Sequence, residues 1–443
     1  SVNGGKNFSN VDKRSTHPDW HGVWINPKND KHWIGGNDGG ANITYDDGKN
    51  WFKANMPPVG QFYAIEVDNN KPYNIYGGLQ DNGTWYGPSK PDTSHAWKYD
   101  IQTEWKNIGP GDGMQVQVDT RDNKTVYSGY QFGEYNRKTI DTRGVKRIYP
   151  KHDVGAEPFR YNWQTPIWLS KHNQDILYYG SNRFHRSLTK GDSIEVLSDD
   201  LTNGKKEGDV PFGTLTTITE SPLRFGLIYC GSDDGKIHVS KDGGYTWTLL
   251  SKKMRPGLYA SRVLPSQHKV SRVYVTLNGY RNDHFAPYLF VSEDFGESWT
   301  KLGENLPAEP LNVVREDPKM ENILYIGTDN GVYVSLDRGN TFMSIDTSLP
   351  RVPVHDIAIQ KAANEIILGT HGRSIYTASL NKVHAAYDSL YKKPVDKTRK
   401  NTALQLFDLN KIEAKPYIDY PPVKTNRRNR KAEMKAIEFN LKN

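Results

Sequence analysis

An eight-residue pattern that returns at regular intervals constrains this chain more than any other feature. It reads Ser/Thr, any residue, Asp, any residue, Gly, any residue, Ser/Thr/Asn, Trp/Phe. It occurs as Thr44-Tyr-Asp-Asp-Gly-Lys-Asn-Trp51, Ser240-Lys-Asp-Gly-Gly-Tyr-Thr-Trp247, Ser292-Glu-Asp-Phe-Gly-Glu-Ser-Trp299 and Ser335-Leu-Asp-Arg-Gly-Asn-Thr-Phe342. The Asp carboxylate can accept turn N–H groups, the Gly supplies the positive φ of a tight reversal, and the final aromatic buries a large flat surface. This is the Asp-box, and four copies at blade-sized spacing predict a β-propeller. Asp46, Asp242, Asp294 and Asp337 therefore read as structural.

Around the boxes, eight segments share one layout: an apolar strand, a short turn, a strand ending in Gly, a polar turn, and a strand leading into the box or its remnant. They begin near His21, Tyr63, Met114, Pro166, Thr216, Arg262, Asn312 and His355, 42 to 52 residues apart. That spacing fits four-stranded blades, so the fold class is all-β, a propeller of seven or eight blades over residues 1–380. Repeats beginning near Tyr63, Met114 and Pro166 lack a good box, which neighbouring blades can compensate. The opening run Ser1-Val-Asn-Gly-Gly-Lys-Asn-Phe8 is a degenerate box with Asn3 in the Asp position, and the eighth repeat ends without one. Two closures follow: the ends complete a shared blade, or seven repeats close a ring and one belongs to an upstream propeller. A chain that starts inside a repeat reads as part of a longer one.

The net charge of +7 does not mark the propeller as a nucleic-acid binder. From Asn381 to Asn443 there are 15 Lys+Arg against 7 Asp+Glu, leaving 43 against 44 in the rest. The excess belongs to an irregular basic C-terminal extension, 381–443; its Leu404-Gln-Leu-Phe407 patch could dock on a blade, its basic run up to Lys431 reads as a solvated or partner-bound stretch or alternatively a contact for a nucleic acid or anionic surface, and the whole could dock the propeller to a larger envelope assembly. The single Cys230 sits in an apolar run and offers neither a disulfide nor a thiolate metal site. No run approaches the roughly 18 apolar residues of a membrane span. His17 and His21 lack the helix and intervening Glu of a metalloprotease motif, and the Gly-rich turns are hairpins rather than phosphate loops. We expect no metal and no cofactor.

More specific motifs stand between the boxes. They are His17-Pro-Asp-Trp-His21, Gly35-Gly-Asn-Asp-Gly-Gly40, Pro72-Tyr-Asn-Ile-Tyr-Gly-Gly-Leu-Gln-Asp-Asn-Gly83, Gly111-Asp-Gly113, Arg160-Tyr-Asn-Trp163, Pro353-Val-His-Asp356 and Gly369-Thr-His-Gly-Arg373. In order and spacing this set resembles the C-terminal half of the large bacterial sortilin-like Asp-box proteins labelled glycosyl hydrolase with BNR repeats. The resemblance implies tandem propellers related in architecture to sortilin-type receptors and xyloglucan hydrolases, exported to the periplasm, cell surface or medium of a bacterium. It does not imply an activity, since the hydrolase label rests largely on the shared boxes.

In a propeller, the turn between second and third strands and the connection into each innermost strand open on the face opposite the boxes. Candidate ligand contacts on that face are His21, Tyr63, Gln80, Arg183, Asp233, Arg281, Asp283, His355, His371 and Arg373. Asp and Asn at such turns are also good hairpin chemistry, whereas a hairpin gains nothing from an Arg or His. Hydrolysis of a glycoside would need two carboxylates facing each other across roughly 5 to 9.5 Å. Asp112 is the first candidate, with Asp81 and Asp38 as partners. Arg183, Arg281 and Arg373 could hold a substrate carboxylate as in a sialidase, but no accompanying Tyr and Glu stand out. Two functions result: a binding or scaffold module for a protein, peptide or glycan, and alternatively a glycoside hydrolase using paired carboxylates.

Overall fold

The computed structural model describes residues 1, 3–12, 16–54, 59–91, 104–208, 210–345 and 349–391. The Leu404–Phe407 patch and the basic run, with the assembly contact expected of them, lie outside the described residues. Among the described residues there are eight antiparallel sheets, seven of four strands and one of three. Each four-stranded sheet is a simple meander, as the repeat layout predicts.

Seven of the sheets close a ring. Their innermost strands are Phe62–Val67, Val116–Val118, Ile167–Leu169, Leu215–Glu220, Tyr259–Pro265, Leu311–Glu316 and Val354–Gln360, here called blades 1 to 7 in that order. The last innermost strand packs against the first, so the ring ends meet at residues 62–67 and 354–360. The sheet of Trp20–Ile25, Trp33–Asn37, Gly40–Thr44 and Phe52–Lys53 stands outside this ring. Of the two closures the sequence allows, the structure thus takes seven blades with one repeat outside.

Closure is made by side chains rather than by a shared blade. The Asp356 carboxylate accepts the Ile65 N–H at 3.1 Å, the Tyr73 hydroxyl donates to Glu365 at 2.7 Å, and the Gln360 amide donates to the Asp68 carbonyl at 3.0 Å. Phe62, Ile65, Ile75, Ala358 and Ile367 form the apolar seam between these two blades. Blade 7 has three strands, and where its box would begin, at Ser379-Leu-Asn381, a helix Asn381–Tyr391 starts instead. The expected irregular extension therefore opens with a helix. Leu380 just before the helix and Val383, Ala386 and Tyr387 within it recur at helical spacing and pack on the seam of blades 6 and 7.

A recurring tyrosine holds the blades. Tyr76, Tyr127, Tyr178, Tyr229, Tyr274 and Tyr325 occupy the second strands and are wholly buried. Tyr76 and Tyr325 donate to Asp68 and Asp317 of their own blades, at 3.0 and 2.9 Å. Tyr178 and Tyr274 reach Glu220 and Glu316 of the next blade, at 2.8 and 3.4 Å. In these four the large ring is buried while its hydroxyl stays bonded, whereas the hydroxyls of Tyr127 and Tyr229 are buried without a partner among the described residues.

The boxes form as the sequence predicts. In the copy at 240–247 the Asp242 carboxylate accepts the Tyr245 and Thr246 N–H groups at 3.1 and 2.9 Å and the Thr246 hydroxyl at 2.6 Å, while Ser240 Oγ accepts the Gly244 N–H at 2.8 Å. Asp46, Asp294 and Asp337 repeat this clamp with Asn50, Ser298 and Thr341. Asn3 does the same through the Asn7 N–H. The turn needs two successive residues at positive φ, so Phe295 and Arg338 adopt it ahead of Gly296 and Gly339. Blade 3 keeps a box that the pattern misses: Ser187 Oγ accepts the Gly191 N–H, and Thr189 Oγ1 stands in for the carboxylate towards the Ser193 N–H.

Candidate functional site on the face opposite the boxes

Backbone packing at glycines builds the carboxylate end of the site. A Cβ on Gly78 would overlap the Met114 carbonyl, and one on Gly113 would overlap the Gly83 carbonyl. With no side chains there, the turn of blade 1 zips onto the segment preceding blade 2. Gly113 N–H donates to the Leu79 carbonyl at 2.9 Å and Gly83 N–H to the Gly111 carbonyl at 2.8 Å. The motifs at 72–83 and 111–113 are therefore two halves of one interlock, and what they bring together is Asp81 and Asp112.

Asp112 is buried and accepts the Asp81 N–H at 2.9 Å on Oδ1 and the Tyr63 hydroxyl at 3.3 Å on Oδ2. Asp81, at positive φ in its turn, keeps its side chain 20% exposed. Burial, then the charges of Asp112 and Asp38, push the Asp81 carboxyl above its ordinary range, with His17 opposing at 3.9 Å. Asp38 arrives from the sheet outside the ring, paired with His21 Nε2. The bridge between sheet and ring is completed by Lys53 Nζ donating to Asn82 Oδ1 at 3.0 Å and by the Asn82 amide reaching the Asp38 carbonyl at 3.4 Å. All three carboxylates that the sequence nominated thus meet in one cluster.

From there a line of rings crosses the mouth of the propeller. Tyr63 has the Trp163 indole as a hydrogen-bonding neighbour, and its ring lies 5.4 Å from His371, which stacks on His355 at 4.3 Å. Burial, then the charges of His371 and Arg281, push His355 down to about 3; burial also lowers His371, so both imidazoles are neutral near pH 7. The Arg281 guanidinium lies over the Tyr259 ring at 4.6 Å. Tyr259 in turn donates to Asn162 at 3.4 Å. Deeper, Arg262 and Arg315 both bind one oxygen of Asp356, each at 2.9 Å.

The other nominated residues divide differently. Asp233 is spent on its own turn, accepting the Gly213 and Thr214 N–H groups at 3.1 and 3.0 Å and the Thr214 hydroxyl at 2.6 Å. The Arg183 guanidinium turns to the Ser198 carbonyl and Asp199. Gln80 pairs through its backbone with Gln61, and Asp283 closes a one-turn 3-10 segment at φ 54°. Arg373 shares the turn of His371, its N–H on Thr370 Oγ1 at 3.1 Å. The grouping of Arg281 with Tyr259, Arg262 and Asp356 escapes the sequence because Arg281 comes from the turn after the second strand of blade 5, Tyr259 and Arg262 from its innermost strand, and Asp356 from blade 7. Its one local signal was Asp356 next to His355. Among the described residues no cluster of three or more His, Cys, Asp or Glu could hold a metal ion, and no helix is long and apolar enough to cross a membrane.

No protein-family model matches the chain. A curated relative, the xyloglucanase of Hypocrea jecorina (strain QM6a), is 22% identical over 216 residues, 45% of this chain and 22% of that protein. Among solved structures, the GH74 xyloglucanase of Xanthomonas campestris matches 74% of this chain and 53% of its own with a TM-score of 0.55 at 14% identity. The GH74 enzyme of Niastella koreensis matches 73% and 53% with a TM-score of 0.52 at 15% identity. The chain spans about half the length of these solved relatives and under a quarter of the curated one. At these identities the likeness is one of fold: the chain is an all-β propeller similar in architecture to GH74 glycoside hydrolases.

Proposed function

We propose that this chain carries part of the active face of an extracytoplasmic glycoside hydrolase acting on a glycan such as xyloglucan, with Asp81 as its proton donor. One observation carries the reading: a part-exposed carboxyl held above its ordinary range beside two other carboxylates, at the mouth of a propeller. In the step envisaged, Asp81 gives its proton to the leaving glycosidic oxygen as the C–O bond breaks. Asp38, from the sheet outside the ring and paired with His21, takes a proton from the water that adds to the sugar. Asp112 is a positioning residue, because its two oxygens hold the Asp81 backbone and the Tyr63 hydroxyl.

The names of the fold relatives support this over a scaffold, since each is a glycan hydrolase. The test is release of reducing ends from xyloglucan. We expect Asp81→Asn to lower kcat by about 100-fold or more, the usual share of a general acid, with substrate binding kept. Unchanged release would remove Asp81 from the chemistry. Wild-type protein that binds xyloglucan but releases nothing would favour a glycan-binding module instead.

A further inference from the structure

The cationic side of the mouth is not explained by hydrolysis of a neutral glycan. Arg281 is exposed, and among the described residues it makes no hydrogen bond or ion pair; its guanidinium is held only by the face of Tyr259. An arginine stacked on an aromatic ring is oriented while its five N–H donors stay free for a planar acceptor. Three residues along the same strand stands Arg262, whose Nε is buried without a partner among the described residues while its Nη2 binds Asp356.

Among the described residues no nearby carboxylate, Asp283 two positions along included, forms an ion pair with Arg281. Asp233 has its oxygens filled by Gly213 and Thr214. Asp356 is shared by Arg262 and Arg315 and also holds the Ile65 N–H. Glu66 lies three residues beyond Tyr63 on its strand, about 10 Å further along. The two imidazoles between Arg281 and the Asp81 cluster are uncharged near pH 7, so they present ring faces and edges without adding to or opposing the charge.

We infer that the mouth is a subsite for a carboxylate-bearing sugar: a uronic acid unit whose carboxylate pairs with Arg281 while its ring lies along Tyr63 and the exposed Trp163. The inference rests on the reading of this face as a glycan site and adds to its ligand a carboxylate-bearing unit, which xyloglucan lacks. A sugar is favoured over an acidic peptide because the positions next to the arginine are aromatic faces, which suit a pyranose ring, and a bare carboxylate needs none of them.

The test compares a tetragalacturonide with its fully methyl-esterified form by calorimetry at low salt. The wild-type protein should bind the acid on the order of tenfold or more tightly than the ester, the worth of one charge-assisted hydrogen-bonded pair. Arg281→Gln should abolish that preference, and Arg281→Lys should restore part of it. Asp81→Asn should keep the preference, so loss of hydrolysis and loss of acid selectivity are read separately. Equal binding of acid and ester, or an Arg281→Gln protein that still prefers the acid, overturns the subsite. An oligoglutamate that competes as well as the tetragalacturonide overturns the assignment to a sugar.

Discussion

His185 is buried between blades with its Nε2 on Ser181 Oγ at 2.7 Å, and burial pushes it down to about 3, as it does His355. An unfolded histidine takes a proton below about 6.5, while these stay neutral in the fold. Their folded values are depressed, so the stability they carry is complete above pH 6.5 and is lost as pH falls towards 3. His185→Gln, which can keep the Ser181 bond, should flatten the fall of unfolding free energy between pH 6.5 and 4; an unchanged slope in urea titrations would overturn this. The sequence pointed to His355 as a residue with no use in a hairpin, and the structure places it in the mouth. It gave no such sign for Tyr259, which reads as one more aromatic at the start of a strand until Arg281 lies on it.

The Asp-box shows how much a single element can say. Its residues are within eight positions of one another, so every bond of the clamp is local and could be read from the pattern. Asp242 and Asp294 are drawn down to about 2, first by Thr246 in one box and by Ser292 and Ser298 in the other. Carboxylates depressed in the fold stabilise it above their ordinary value near 3.9, and that support is lost as pH falls through about 2. Asp294→Asn should cost about 1 kcal/mol at neutral pH, the scale of a net hydrogen bond, and the gap from wild type should close between pH 4 and 2. A gap that persists at pH 2 would mean that packing, not charge, holds the turn. The box of blade 3 went unread because Thr189 replaces the carboxylate, which changes the residue class but keeps an acceptor oxygen at the same place.

Across the whole molecule, the ring depends on contacts between residues almost 300 positions apart. Asp356 joins the last blade to the first through Ile65 and binds Arg315 of blade 6 and Arg262 of blade 5. Asp356→Ala would leave two part-buried guanidiniums without their shared carboxylate, and we expect a loss of about 3–5 kcal/mol in denaturant unfolding, with Asp356→Asn intermediate. Loss below 1 kcal/mol in the Ala variant would show that the apolar seam closes the ring unaided. The sequence by itself determined the propeller class, the blade boundaries and the box face, because strand period, turn residues and clamp bonds are all short-range. It could name Asp38, Asp81 and Asp112 as candidates by their turns. Only the tertiary structure decided that seven blades close while one sheet stands outside, that these three carboxylates meet, and that Arg281 rather than Arg183 faces the mouth without an anionic partner. Those outcomes depend on which turns and sheets become neighbours in space, and the spacing of residues along a strand carries no record of that.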